Sequence, residues 1–414
     1  MTNVTKNLAS ESPEPQPEPL LDRLLNFEPV PAPVISLYLD ARVNEQGKRQ
    51  FMPFVRKQLN ERSKSYDADS LERESFETDF RRIVSYLEDG INTNTSGLAI
   101  FACAAADDFF EVGEFEAPFE RDRLVVSDRP HVYPLARVAD QYRRYAVVLA
   151  DTNRARIYVF AAGQTVEEKS IENVKTKRTR VGGWSQARYQ RHEENYHLHH
   201  VKEVVDMLER VVREEEVEHI ILAGDETVVI PLLKEQLPKA LEEKVIDAVN
   251  LGIDTPEHEL FEESLTVFQR HDSLTDMEKV ERLLNEFRGD NLAVAGVPDT
   301  LAALSNGQVE EILIVSSPDN LQYDEEEVRK VLELYDVDGQ LPPELDARTI
   351  ADEIVRRASL LSSARVTIIE DETRLQQLGG VGALLRYRIS EESAVPYEDS
   401  SAVPRSKALT TQAS

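Results

Sequence analysis

Seven apolar residues, Leu198, Val201, Val204, Val205, Leu208, Val211 and Val212, recur at the three- and four-residue spacing of one helical face. Strand patterns stand on both sides of that helix. Tyr145-Ala-Val-Val-Leu-Ala150, a turn at Asp151-Thr-Asn153 and Ala155-Arg-Ile-Tyr-Val-Phe160 read as a hairpin, and His219-Ile-Ile-Leu-Ala223 reads as a buried strand ended by Gly224-Asp225. A hairpin, a long amphipathic helix and a further strand, in that order, bury their apolar faces as an α/β layer.

Two further blocks flank this one. Before it, Val34 to Leu39, Gly97 to Ala104 and Phe109 to Phe115 read as strands, with helices over Phe51 to Arg62 and Ser70 to Leu87. The stretch Phe119 to Leu135, with Pro130 and Pro134, is expected to be a linker. After it, an amphipathic stretch from Thr275 to Phe287 opens a third block. Strands over Leu292 to Gly296, Glu311 to Val315, Val366 to Glu370 and Leu384 to Ile389 alternate there with helices over Pro298 to Leu304, Glu325 to Leu334 and Ala347 to Leu361. The expected division of the 414 residues is a tail over 1–19, domains over 20–135, 136–270 and 275–392, and a second tail over 393–414. No signal peptide and no apolar window of bilayer length appears, so a cytoplasmic protein without a membrane partner is expected.

Charge narrows the partners. Asp and Glu number 77 against 48 Lys and Arg, a net −29. An acidic surface repels polyanions, so any nucleic-acid contact requires a local basic island. A salt-rich cytoplasm selects the same balance. The single cysteine, Cys103, sits in an apolar run and reads as a buried thiol. Only one segment supplies the island: between Asn173 and His192 stand Lys175, Lys177, Arg178, Arg180, Arg188 and Arg191, without an acid. At its centre is Gly182-Gly183-Trp184-Ser185-Gln186, where paired glycines permit close backbone approach and the only tryptophan offers a face to a nucleobase. A solvated surface turn over a buried Trp184 is the plainer reading of the same residues.

Other constellations are weaker. Glu193, His197 and His200 share a helix face, near His192 and His199, in a pattern compatible with a metal but more often a polar helix face; no metal is expected. Asp151, Asp225 and Glu226 follow strand ends, where carboxylates hold two Mg²⁺ in ribonuclease-H-like nucleases or simply cap turns. Gly379-Gly380-x-Gly382 precedes a strand rather than a helix, so nucleotide binding is not expected there, and no cofactor is.

The run from Lys177 through Gly182-Gly183 to Ser185, Arg188, Tyr189 and Arg191, followed by the long helix and the strand at His219, resembles the central domain of archaeo-eukaryotic class-1 release factors and their Pelota-like relatives. Glu372-Thr373 and Leu378-Gly379-Gly380-Val381-Gly382 to Tyr387 resemble the closing segment of that family's C-terminal domain. The resemblance implies a three-domain α/β (α+β) protein: a central ribonuclease-H-like domain carrying the basic Gly-Gly loop, and a C-terminal α/β sandwich like the release-factor third domain. It implies a bacterial-type member that binds the ribosomal A site, touches rRNA and P-site peptidyl-tRNA, and promotes ester hydrolysis in termination or rescue. A translational GTPase is the implied partner of the C-terminal domain.

The implied catalytic residues are Gly182, Gly183 and Gln186. The implied RNA contacts are Lys175, Lys177, Arg178, Arg180, Trp184, Ser185, Arg188, Tyr189 and Arg191. Two departures matter. Trp184 stands where the family's Gly-Gly-Gln carries its glutamine, with Gln186 two residues later, and no Asn-Ile-Lys-Ser stop-codon motif occurs between residues 20 and 135. A non-catalytic ribosome-binding factor of stress or hibernation, and a metal-dependent tRNA nuclease, stand as alternatives.

Overall fold

Alternating and continuous apolar runs become three sheets, one in each block. The structure, a computed structural model, describes residues 17–161, 164–172, 186–225, 227–335, 342 and 344–388. The first block runs α1 (Pro17–Leu25), β1 (Val34–Asp40), α2 (Met52–Ser63), α3 (Leu71–Asp89), β2 (Gly97–Cys103), β3 (Phe109–Phe115), β4 (Arg123–Ser127) and α4 (Tyr133–Gln141). Its sheet is antiparallel, in the order β3-β2-β1-β4. Helix α1 begins at Pro17, inside the stretch expected as a tail; prolines are tolerated in a first turn, whose N–H groups have no helical partner. Cys103 is fully buried, and burial pushes its thiol up.

The expected linker over Phe119 to Leu135 is corrected: it holds β4 and the start of α4. Pro134 falls in the first turn of α4 rather than breaking a helix. The side chain of Asp352 caps that turn, accepting from the backbone N–H of Val132 at 2.9 Å and of Tyr133 at 2.8 Å.

The central block runs β5 (Tyr145–Ala150), β6 (Arg154–Ala161), β7 (Gln164–Glu172), α5 (Gln186–Glu214), β8 (His219–Gly224), α6 (Val229–Gln236), α7 (Lys239–Glu242), β9 (Val245–Val249) and α8 (Glu257–Arg288). Its sheet order is β7-β6-β5-β8-β9, with β5, β8 and β9 parallel and the other pairs antiparallel, the ribonuclease-H-like arrangement. Strand alternation separates two cores. Ala146, Val148, Ile157, Ile220 and Leu222 meet α5 and α6 on one face; Tyr145, Val147, Leu149, Phe160 and Ile221 meet the first half of α8 on the other.

The third block continues with β10 (Ala293–Ala295), α9 (Val297–Ser305), β11 (Val309–Val315), α10 (Glu325–Leu334), α11 (Ala347–Arg357), β12 (Arg365–Ile369) and β13 (Val381–Leu385), in the sheet order β10-β13-β11-β12. The last strand lies earlier than Leu384 to Ile389, the span its composition suggested. Gly382 sits inside it because a Cβ there would stand 2.7 Å from Leu283 and 3.0 Å from the Val294 carbonyl oxygen. Among the described residues no helix is long and apolar enough to cross a membrane.

The first and third blocks share one core. Leu20, Tyr38, Phe101 and Phe115 pack in the same cluster as Leu301, Ile312, Val315 and Ile354, with α4 among them. The Tyr133 hydroxyl donates to the Val315 carbonyl, and the Ile368 N–H donates to Asp140 at 2.7 Å. Helix α8 spans the remaining junction, its second half placing Val280, Leu283 and Leu284 in this shared core.

Where α4, β5 and α8 meet, Asp140, Arg143, Asp272, Asp276 and Lys279 crowd together. Burial, then the charges of Asp272 and Asp140, push the Asp276 carboxyl up to about 7. Burial likewise lifts Asp140 to about 6. These folded-state values lie above those of the unfolded chain, so the folded state holds more protons between about pH 4 and 7, and stability falls as pH rises through that window. Asp276→Asn removes much of that loss. Its melting temperature at pH 8 is expected to exceed that of the parent by roughly 2 °C or more, with a shallower slope between pH 5 and 8. Equal slopes in a thermal-melt series would place the titration elsewhere.

Candidate functional site

Residues 173–185 connect β7 to α5, and the sheet register fixes where that connection begins. Glu172, the last residue of β7, pairs with Arg154, the first of β6, so the chain leaves beside the Asp151–Arg154 turn. Ala150 pairs with Gly224 in the parallel β5–β8 ladder, which sets Asp225 beside Asp151 on the same edge. The connection therefore springs from the carboxyl ends of parallel strands, the edge at which open α/β sheets place their ligands. Gly224 is required there because a Cβ would stand 2.5 Å from the Ala150 carbonyl oxygen.

Helix α5 carries the chain back. Its buried stripe, Val201, Val204, Val205, Leu208, Val211 and Val212, lies on the sheet as the spacing implied. His200 is the first fully buried residue of that stripe, 1% exposed, and contacts the backbone of Arg154 and Asp151 at the sheet edge. Burial pulls its pKa down, against those backbone hydrogen bonds. Gln186 starts the helix 14 residues before His200. At ~1.5 Å per residue the first turns reach about 20 Å beyond the sheet edge. Sequence reading placed His200 on a polar face; its signal as a core residue was its spacing of four and eight from Val204 and Leu208.

The site residues divide between the two segments. Lys175, Lys177, Arg178, Arg180, Gly182, Gly183, Trp184 and Ser185 lie outside the described residues. Gln186, Arg188, Tyr189 and Arg191 lie in the first two turns of α5, where the helix is described without its side chains. Gln186 thus stands at a helix N-terminus, three positions after Gly183. Unsatisfied N–H groups and the positive end of the helix dipole gather there.

The two strand-end aspartates are turn residues. Asp151 Oδ1 accepts from the N–H groups of Asn153 at 2.7 Å and Arg154 at 2.6 Å, while Arg154 Nε lies 3.6 Å from Oδ2. Asp225 Oδ1 accepts from the Thr227 hydroxyl at 2.6 Å and from the N–H groups of Thr227 and Val228. Those bonds, the Thr227 hydroxyl first, hold its carboxyl below the usual carboxylate range. Glu226 lies outside the described residues. Among the described residues no group of three His, Cys, Asp or Glu is placed to hold a metal. The histidines diverge: His200 is buried, whereas His199 is exposed and 3.5 Å from Glu203.

Comparison with known proteins follows the same division of the chain. The family model described as bacterial archaeo-eukaryotic release factor family 10 matches residues 130–269, and that described as eRF1 domain 3 matches residues 274–389. A protein pelota homolog of Thermococcus kodakarensis is 28% identical over 254 residues, covering 59% of this chain and 64% of the homolog. The chain thus spans slightly less than two thirds of that relative's length. The Mycobacterium tuberculosis protein Rv2629 is 24% identical over 268 residues, covering 63% of this chain and 71% of its own. Among solved structures, a ribosome-bound archaeal Pelota with ABCE1 aligns over 92% of this chain and 96% of its own, at 15% identity and a TM-score of 0.39. Archaeoglobus fulgidus Pelota aligns over 70% and 79%, at 16% identity and a TM-score of 0.28.

Proposed function

Since the chain belongs to the archaeo-eukaryotic release-factor and Pelota superfamily, we propose that it enters the ribosomal A site and promotes hydrolysis of peptidyl-tRNA, in rescue or quality control. The observation that carries this reading is the placement of the basic Gly-Gly segment between an edge strand and a helix that projects beyond the sheet. Such a mount lets a narrow loop reach a catalytic centre that the body of an acidic protein cannot approach. Water attacks the ester carbonyl carbon, the bond to the ribose oxygen breaks, and a free peptide and deacylated tRNA leave. The factor needs only to orient the water and to stabilise the oxyanion, and the ribosome supplies the rest. Gly182 and Gly183 provide the backbone path, and the neutral Gln186 amide both donates to and accepts from the water. Lys175, Lys177, Arg178, Arg180, Arg188 and Arg191 neutralise RNA phosphates, while Ser185 and Tyr189 add polar and stacking contacts. The third block is the part offered to a translational GTPase, and a ribosomal role places the protein in the cytoplasm.

Replacing Arg178, Arg180, Arg188 and Arg191 together by Ala weakens ribosome binding and flattens its salt dependence. The log–log slope falls by about one unit for each phosphate that is no longer neutralised, with duplex DNA as the guide. A pelleting titration across salt concentrations measures this, and an unchanged slope would take the loop out of the interface. Trp184 favours a second reading. An indole in the position of the family glutamine suits a factor that occupies the A site without hydrolysis.

A further inference from the structure

A cleft of about 210 Å³ opens between the first and third blocks, lined by Phe119, Arg121, Arg123, Arg137, Ser317 and Glu370, among others. Arg137 is neutralised there, 2.8 Å from Glu120 and 3.0 Å from Glu370. Arg123 differs. It opens β4 opposite Tyr38, so both side chains lie on the face turned to the junction, where Tyr38 is buried in the shared core. Arg123 is half-buried, and among the described residues it makes no hydrogen bond or ion pair. Arg121, two residues earlier, is likewise unpaired among them, whereas Arg348 of α11, close enough for its charge to be felt, is paired with Asp346 at 3.7 Å. Burial, then the charges of Arg121 and Arg348, make the Arg123 guanidinium easier to deprotonate than usual, with Asp319 and Tyr38 acting in the opposite sense.

A half-buried guanidinium without a hydrogen-bond partner has lost part of its water and has only the distant charge of Asp319 in exchange, an arrangement that a bound anion improves. Its planar fork of donors fits the oxygens of a phosphate better than it fits a spherical ion. The volume lies below the ~300–1,000 Å³ of pockets that enclose whole drug-sized ligands, so it suits a phosphate head whose remainder lies outside. We infer that this cleft binds a phosphate group, with Arg123 as its central ligand and Arg121 as a supporting cation, both of them lining it. The phosphate belongs to a small molecule or to an RNA backbone, and the two sources are separable. None of the residues lining the cleft belongs to the Gly-Gly loop.

The test uses the full chain with Lys175, Lys177, Arg178, Arg180, Arg188 and Arg191 replaced by Ala, so that the cations of the loop contribute nothing to RNA binding. Inorganic phosphate and a short single-stranded RNA are titrated calorimetrically against this protein and against Arg123→Met and Arg123→Lys in the same background. Arg123→Met weakens binding of at least one probe by about tenfold or more, and Arg123→Lys, which keeps the charge without the fork, falls between. Phosphate-dependent binding assigns a free phosphate or small-molecule phosphate, whereas binding of RNA alone assigns a backbone phosphate. Thermal melts without ligand check that both variants remain folded, and added probe raises the melting temperature only where Arg123 is intact. If neither probe binds, or if affinity is indifferent to Arg123, the assignment is overturned and the loop reading is left as it stands.

Discussion

On the hydrolytic reading Gly183→Ala is expected to abolish peptide release while leaving ribosome binding nearly unchanged, and Gln186→Ala to lower release by ~10²-fold or less, the scale of one oriented donor beside a developing oxyanion. The two effects have different origins. In that reading an added Cβ at Gly183 restricts the backbone that the loop needs to approach the ester, while the flanking arginines would still hold the RNA. At Gln186 the path is intact and only the amide that holds the water is gone. Trp184 separates the hydrolytic from the non-catalytic reading. In the first, Trp184→Ala lowers release through a weaker hold on the tRNA end; in the second, Trp184→Gln restores the family triplet and creates an activity that the parent lacks. The assay follows labelled peptide leaving ribosomes that carry a P-site peptidyl-tRNA and an empty A site. No release by the parent at saturating occupancy, with or without a stop codon, sinks hydrolysis and leaves the non-catalytic factor.

The largest effect on stability is expected at Asp352. Its carboxylate accepts from His131 Nδ1 at 2.7 Å and from the N–H groups of Val132 and Tyr133, so one side chain of the third block caps α4 and pairs a fully buried histidine of the first. Asp352→Ala removes the cap and strands the imidazole, a loss of about 2–4 kcal/mol. Because α4 lies inside the core shared by the two blocks, the first block also loosens from the third. Guanidinium unfolding followed by far-UV circular dichroism should then resolve into two transitions where the parent shows the blocks melting together. Asp352→Asn keeps an acceptor and retains more than half of the stability. A loss below ~1 kcal/mol with a single transition would show that packing around Tyr133 and Leu135 holds the junction without the cap.

Local signals identify elements wherever one segment's burial is written in its own spacing. Phe109–Phe115, Tyr145–Ala150 and Glu325–Leu334 have the bounds their patterns imply. Strand β7 has no such pattern, because Gln164–Glu172 is rich in charged residues; as an edge strand it pairs only with β6, and the ladder, not its composition, makes it extended. Strand β13 starts three residues before its expected span because its glycine marks a close approach to Leu283 and Val294 that no local rule reveals.

The candidate site divides the same way. The basic island, its glycines, Trp184 and Gln186 are properties of composition and order, fully present in the linear chain. The strand ends bearing Asp151 and Asp225 are legible too, and so is their reading as turn residues, but not the geometry of the bonds they accept. Backbone N–H groups two and three residues ahead donate to them only once the turns close. The sequence by itself determined three α/β blocks and one cationic loop in an acidic chain, since periodicity and charge are local. Only the tertiary structure decided that the first and third blocks share a core around α4, and that Arg123 stands half-buried without a partner among the described residues. Capping, desolvation and pairing depend on groups brought from distant parts of the chain, as Asp352 is brought to His131 across 221 residues.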